Sequence, residues 1–178
     1  MSSPGSHAVG PPPDPGLLSL YDRALPEVYG YLLARCGQRA LAEDLTAETF
    51  LAAVRAESEG GGPTTVPWLI GTARHKLVDH WRRLEREERG LRLLDGGEQH
   101  TEDPWDDEVD GLRAQQVLEQ LSPGHRAALT LRYLDDLAVA QVAAHLGRTV
   151  HATEALLVRA RTAFRHRYES TEQPGGAP

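Results

Sequence analysis

The 178-residue chain has a single cysteine, Cys36, so no disulfide can form within it, and a cytoplasmic home fits. In "YLLARCG" that cysteine reads as a small core residue. No apolar run approaches the roughly 20 residues of a membrane span, so no membrane insertion is expected. The opening "MSSPGSHAVGPPPDPG" has neither a basic segment nor an apolar one, which argues against a secretory signal and reads as a disordered tail. β-branched runs are scarce while Ala, Leu, Arg and Glu dominate, which implies an all-α protein. The eight histidines do not cluster at ligand spacing: His75 and His80 are five apart, with no cysteine or carboxylate pattern beside them, so neither a metal nor a cofactor is expected. No nucleophile–base pair, Gly-rich phosphate loop or catalytic carboxylate pair stands out, so the chain does not read as an enzyme.

What the chain does have is charge in sectors. The formal net charge is −7. Residues 94–110, "LDGGEQHTEDPWDDEVD", hold eight acidic residues and no Lys or Arg. Residues 68–93 hold seven basic and four acidic residues, and residues 121–168 hold seven arginines and three acidic residues. Two basic blocks are therefore separated by an acidic one. Because screening confines a charge's influence to about 10 Å, each block acts through its own local field. The acidic block lacks periodicity and contains Gly96, Gly97 and Pro104, so it reads as a flexible linker between two small helical domains. The expected organisation is a tail at 1–16, a helical domain at 17–93, the linker at 94–111, a second helical domain at 112–168 and a tail at 169–178.

In the first domain, "LLSLYDRAL" (17–25) reads as a short amphipathic helix. Pro26 opens the next helix, which Gly37 ends. "QRALAEDLTAETFLAAVRA" (38–56) follows, with Leu41 and Leu45, then Phe50 and Val54, spaced as apolar faces. Glu43, Asp44, Glu48 and Glu57 make the rest of it acidic. After "ESEGGGPTTVP", a loop, a long helix runs from about Trp68 to Leu93, apolar and aromatic first, then charged and solvated. In the second domain, "DGLRAQQVLEQL" (110–121) precedes a helix that Ser122 caps and Pro123 starts, with Ala127, Leu131 and Leu134 as its inner stripe and Asp135–Asp136 as its break.

"LAVAQVAAHLGRTVHATEALLVRAR" then reads as a helix-turn-helix: a first helix at about 139–146, a left-handed turn at Gly147, and a second helix at about 150–167 capped by Thr149. Val142, Ala143 and Leu146 pack inward, as do Leu156, Ala160 and Ala163 or Phe164, leaving Arg159, Arg161, Arg165 and Arg167 for phosphates. An ordinary helical hairpin with an arginine face would look alike. The upstream basic helix with its tryptophans favours nucleic acid, because cations hold phosphates and aromatic rings stack on unpaired bases. Trp68, beside Leu69 and Ile70, reads as core, whereas Trp81, among Asp79, His80, Arg82 and Arg83, reads as the base-contacting one.

These segments carry a resemblance. "LAEDLTAETFLAAVRA" resembles the "AEDLxQExF" pattern of sigma-70 family transcription initiation factors. "PWLIGTARHKLVDHWRR" is similar to the family's "WLxxIARNxxxDxxRR", and "LSPGHRAALTLRYLDDLAVAQVAAHLGRTVHATEALLVRAR" to its C-terminal "LSPxxRxxLxLRYxxxLSxxEIAxxLGxSxGTVxSxLxRAR" domain. Two domains with a short linker resemble the extracytoplasmic function (ECF) group. The resemblance implies that the chain binds core RNA polymerase, recognises −10 and −35 promoter elements and melts the former. It implies that Glu43, Asp44, Glu48 and Phe50 dock on the β′ clamp helices. It implies that Arg74, His75, Lys76, Asp79, His80, Trp81, Arg82 and Arg83 engage the −10 DNA. Arg148, Thr149, His151, Ala152, Glu154, Arg159, Arg161 and Arg165 would serve the −35 DNA, and the same domain would contact the β flap. An anti-sigma factor is common in the group, but no residue here specifies one.

The chain departs from the pattern in places. His75 stands where the family usually has an Asn that captures a flipped base. Ala138 replaces a Ser cap, which should cost about 1 kcal/mol, and Gln141 replaces a Glu. Glu154 and Leu156 stand where cations are common, and Glu154 could accept from a cytosine amino group instead. The rival readings are a helix-turn-helix regulator that never binds polymerase and a helical protein–protein adaptor. The acidic helix argues against the first, and the arginine-rich second domain against the other.

Overall fold

The computed structural model describes residues 15–60, 64–91 and 111–170. The acidic linker lies outside those residues but for Gly111, as do most of the two expected tails. Among the described residues there are seven helices and no strand: α1 (Pro15–Cys36), α2 (Arg39–Ser58), α3 (Val66–Leu91), α4 (Gly111–Gln120), α5 (Pro123–Leu129), α6 (Val139–Leu146) and α7 (Val150–Ser170). Helices α1, α2 and α3 pack on one another; α4, α5 and α6 gather on α7. The two groups also touch, α3 against α5 and α6 and α1 against α4, so that one apolar core runs through both.

The separate helices expected at 17–25 and from Pro26 are one helix, with Pro26 inside it. A proline there removes one backbone hydrogen bond. The burial of Leu20, Ala24, Val28, Leu32 and Cys36 outweighs that loss. These residues recur every fourth position across the proline and form a single stripe that only an unbroken helix can bury. Gly37 ends α1 at φ +67, a left-handed conformation that favours glycine, and the Glu119 carboxylate of α4 lies against it. On α2, the buried hydroxyls of Thr46 and Thr49 donate to the Ala42 and Leu45 carbonyls at 2.6 and 2.7 Å, which lets polar side chains sit in the core without an unmet bond.

The second group is assembled by caps. The Ser122 hydroxyl accepts from the His125 amide, and Pro123 begins α5. Arg126 reaches back to the Leu118 carbonyl at 2.8 Å and to that of Glu119, satisfying the end of α4. Residues Thr130–Leu134 continue α5 as a π-helical turn, closed by the Asp135 amide donating to the Thr130 carbonyl at 3.0 Å. That wider turn rotates Leu134 off the expected inner stripe, and it is 46% exposed while Ala127 and Leu131 are buried. Asp136, at φ 50, completes the break. Ala138 gives α6 no cap, but the Gln141 side-chain oxygen accepts from the Ala138 amide at 2.9 Å, half of the usual reciprocal pair. Gly147 ends α6 at φ 63, and the Thr149 hydroxyl accepts from the Ala152 amide at 3.2 Å to start α7.

Candidate nucleic-acid interface

Helix α2 buries one face and leaves Glu43, Asp44 and Glu48 on the other, exposed. Phe50 is not with them. It is 8% exposed, its ring tilted against Tyr21 at 4.7 Å, so core packing claims it and it offers no surface contact. Val54, expected on an apolar face with it, is exposed, as is Leu51; these are the large apolar side chains α2 presents.

Helix α3 has two working edges. Along one, Lys76, Asp79, His80 and Arg83 face Asp44 and Glu48 of α2 across an open groove of about 500 Å³. The Lys76 ammonium lies 3.4 Å from the Glu48 carboxylate, and Arg83 lies 3.1 Å from His80. Burial and then the Arg83 charge hold the His80 imidazole below its ordinary value. Asp44 and Glu48 of the expected polymerase-facing carboxylates thus share one groove of mixed charge with part of the expected −10 set, while Glu43 pairs with Arg39 at 2.8 Å outside it.

Trp81 does not belong to either surface. It is 1% exposed and sits in the core, its ring nitrogen without a partner among the described residues. Trp68, expected in the core, is 39% exposed at the start of α3. The reversal follows from position. Trp81 lies seven residues after Arg74 and four before Glu85, on the stripe that turns towards the second helix group, whereas Trp68 occupies the first turn, beyond the reach of that packing. The polar neighbours of Trp81 in sequence lie on other faces of the same helix.

The other edge of α3 meets the helix-turn-helix. Arg74, His75, Val78 and Arg82 line a second groove, about 380 Å³, with Leu137, Gln141, Ala144 and His145. The Arg74 guanidinium donates to Asp135 at 2.9 Å. Asp135 also pairs with Arg35 at 2.7 Å and accepts from the Tyr31 hydroxyl at 2.9 Å, and its side chain is 1% exposed. Burial, and next the Asp135 charge, push the Tyr31 hydroxyl up to about 12. The His75 ring, whose nitrogen meets the Gly71 carbonyl at 2.8 Å, lies 4.8 Å from the His145 ring. Burial, then His75 and Arg74, hold His145 below its ordinary value against the opposing pull of Asp135. Arg82 meets Asp79 at 3.5 Å and abuts Gly147.

Arg148, expected at the leading edge of the −35 reader, points the same way: it donates to Glu85 of α3 at 2.8 Å, an oxygen shared with Arg89. Along α7, His151, Glu154 and Arg159 are exposed, with His151 4.0 Å from Glu154. Ala152, Arg161 and Arg165 are half-buried, and Arg161 donates to the Tyr133 hydroxyl at 3.3 Å. Thr149 is exposed, although its hydroxyl serves the cap. The residues that sequence reasoning missed are Asp135 and Glu85. Asp135 reads as a helix breaker and Glu85 as one of a solvated run, and no local pattern distinguishes them from Asp136 or Glu87. Among the described residues no group of three or more His, Cys, Asp or Glu is placed to hold a metal ion, and no helix is long and apolar enough to cross a membrane.

Residues 20–87 match the model of sigma-70 region 2, and residues 111–164 that of sigma-70 region 4. The chain is similar to the ECF RNA polymerase sigma factor BldN of Streptomyces coelicolor, 34% identical over 148 residues that cover 79% of this chain and 56% of BldN. It therefore spans a little over half of BldN's length. It is similar also to the ECF RNA polymerase sigma factor SigL of Mycobacterium tuberculosis, 34% identical over 135 residues covering 72% of this chain and 75% of SigL. The fold resembles that of the sigma factor RpoE from Bartonella quintana, solved in complex with the anti-sigma factor NepR, at a TM-score of 0.52 and 19% identity, over 88% of this chain and 98% of that one.

Proposed function

Because the chain belongs to the ECF group of the sigma-70 family, we propose that it binds core RNA polymerase in the cytoplasm, recognises −10 and −35 promoter elements and promotes melting of the former. One observation carries the reading: a single chain joins an exposed acidic face on α2, a cationic edge on α3 and a helix-turn-helix at α6–α7. A protein that met only DNA would gain nothing from Glu43, Asp44 and Glu48 in the open, where they repel phosphate. As a docking face for the polymerase β′ clamp helices they have a use, and they orient α3 beside it.

In that setting Lys76, His80 and Arg83 hold the backbone of the opened strand, and Trp68 offers its face to an unpaired base. Unstacking costs a few kcal/mol per step, and capture of the displaced strand offsets it. Helix α7 enters the major groove with His151 and Glu154 towards base edges and Arg159 towards phosphate, while the same domain meets the β flap. On this reading the chain directs a partner's catalysis and carries none itself. Run-off transcription with core polymerase over a range of candidate promoters is the test. Promoter-dependent transcripts are expected only when the chain is added; folded protein that yields none would overturn the reading.

A further inference from the structure

We propose that α7 reads a pyrimidine strand: Glu154 accepts from the amino group of a cytosine, and Val150 and Val158 lie against thymine methyl groups beside it. The proposal rests on the reading above that α7 enters the major groove, and it names what α7 recognises there.

Helix α7 turns one face to the core, through Thr153, Leu156, Leu157, Ala160 and Phe164. The opposite face of its first turns is left for a ligand: Val150, His151 and Glu154 are exposed, and Ala155 and Val158 half-buried. Thr153 is sealed, and its hydroxyl donates to the Thr149 carbonyl at 2.9 Å. That anchors the roll of the helix and keeps Glu154, the next residue, facing outward. From Val150 to Val158 there is no Arg, Lys, Asn or Gln. In the major groove guanine is read by Arg or Lys on its two acceptors, and adenine by Asn or Gln on its acceptor and donor. This face has neither means. It has one carboxylate among apolar side chains.

A carboxylate only accepts, so it needs a base that offers a donor with no acceptor beside it. Cytosine offers its amino group. Guanine offers acceptors alone, thymine an acceptor and a methyl group, and adenine sets an acceptor next to its amino group. His151 lies 4.0 Å from the Glu154 carboxylate, beyond hydrogen-bond reach, and does not satisfy it. Opposite any other base the carboxylate would lose water among phosphates and gain no bond, so rejection adds to the discrimination. Val150 and Val158 stand four residues to either side of Glu154, about 6 Å along the axis. That is one to two base steps at about 3.4 Å each. Their side chains match the thymine methyl, the apolar group of the groove edge. Arg159, exposed, is the first cation beyond this face and is placed for the backbone.

In the test, the full-length chain, alone and with core RNA polymerase, selects duplexes carrying about 10 randomised base pairs, one turn of DNA, and the recovered pools are sequenced. The parent is compared with Glu154→Gln and Glu154→Ala. The side chain is exposed, so both variants are expected to keep the fold, which circular dichroism checks. The parent is expected to enrich cytosine about five-fold or more at one position, with thymine within two base pairs of it on the same strand. Glu154→Gln should move that position to adenine, whose acceptor and donor an amide meets together. Glu154→Ala should leave that position without preference and the others as they were. A base other than cytosine at the position that shifts overturns the proposal. So does a pool that neither variant alters, or one in which every preference is lost together, because Glu154 would then serve docking and not reading. Cytosine without a neighbouring thymine overturns the part given to Val150 and Val158. No enriched sequence in either arm overturns the proposal and the entry of α7 into the groove alike. Cytosine selection without any run-off transcription would leave the proposal standing and sink the promoter reading. Run-off transcription that Glu154→Ala leaves equally selective at every −35 base would do the reverse.

Discussion

The two edges of α3 carry the same kinds of side chain and use them differently. On the edge turned to the second helix group, Arg74 and Glu85 find partners in that group and Trp81 is sealed in the core. On the edge turned to α2, Lys76, His80 and Arg83 line an open groove with Asp44 and Glu48, and the bond across it is long, 3.4 Å. A count of charges along α3 treats all these residues alike. Which cations remain available to a ligand is decided by what packs on each edge.

The sharpest way to break this contrast is through the tryptophans. Trp81→Ala is expected to cost about 3–5 kcal/mol in urea unfolding, because it empties a large core site. Trp68→Ala should cost about 0.5 kcal/mol, within the range of surface changes, while weakening single-strand binding by about 1–3 kcal/mol. Equal losses of stability would mean that the two edges are not distinct. Next comes the acidic face. Glu43→Arg combined with Asp44→Arg should weaken core polymerase binding about ten-fold or more while leaving duplex DNA binding undiminished. A loss of both would show that the face is misassigned.

Acidification should weaken the packing of α6 on α3 more mildly. Burial first, then the His75 and Arg74 charges, hold His145 below its ordinary value of 6.5, with Asp135 opposing. Unfolded protein then binds the proton more readily than folded protein does. The folded protein keeps this share of its stability above pH 6.5 and loses it as the pH falls below that. His80 and His125, both lowered first by burial, add in the same direction. Thermal unfolding from pH 7.5 to 5.5 should show a smaller decline in His145→Gln than in the parent; identical slopes would remove His145 from the account. The smallest effect is expected at Arg159. Arg159→Ala should weaken DNA binding nearly uniformly across sequences and reduce the salt slope by about 1; a sequence-selective loss would instead place Arg159 on a base.

Much of the second helix group was legible because its boundaries are written in short-range chemistry. Ser122, Gly147 and Thr149 each act on backbone groups within a few residues, and the structure uses all three as expected. The same local logic failed at Pro26, where a five-residue buried stripe overrode a helix breaker, and at Leu134, where a π-helical turn shifted the register. It failed for Trp81 and Phe50 because burial depends on what a distant helix covers. Polar neighbours along the chain say little about that. The exposed carboxylates of α2 were readable from their spacing opposite an apolar stripe. The ion-pair cluster around Asp135 was not, since Asp135 and Asp136 look alike in sequence and the partners of Asp135 lie up to about a hundred residues away.

The most direct test of the central claim is permanganate footprinting on promoters identified by mapping transcript starts after overexpression. The account predicts reactive thymines at the −10 element, with protection at both −10 and −35, only when chain and core polymerase are present together. Reactivity with core polymerase alone, or none with the two combined, would contradict it.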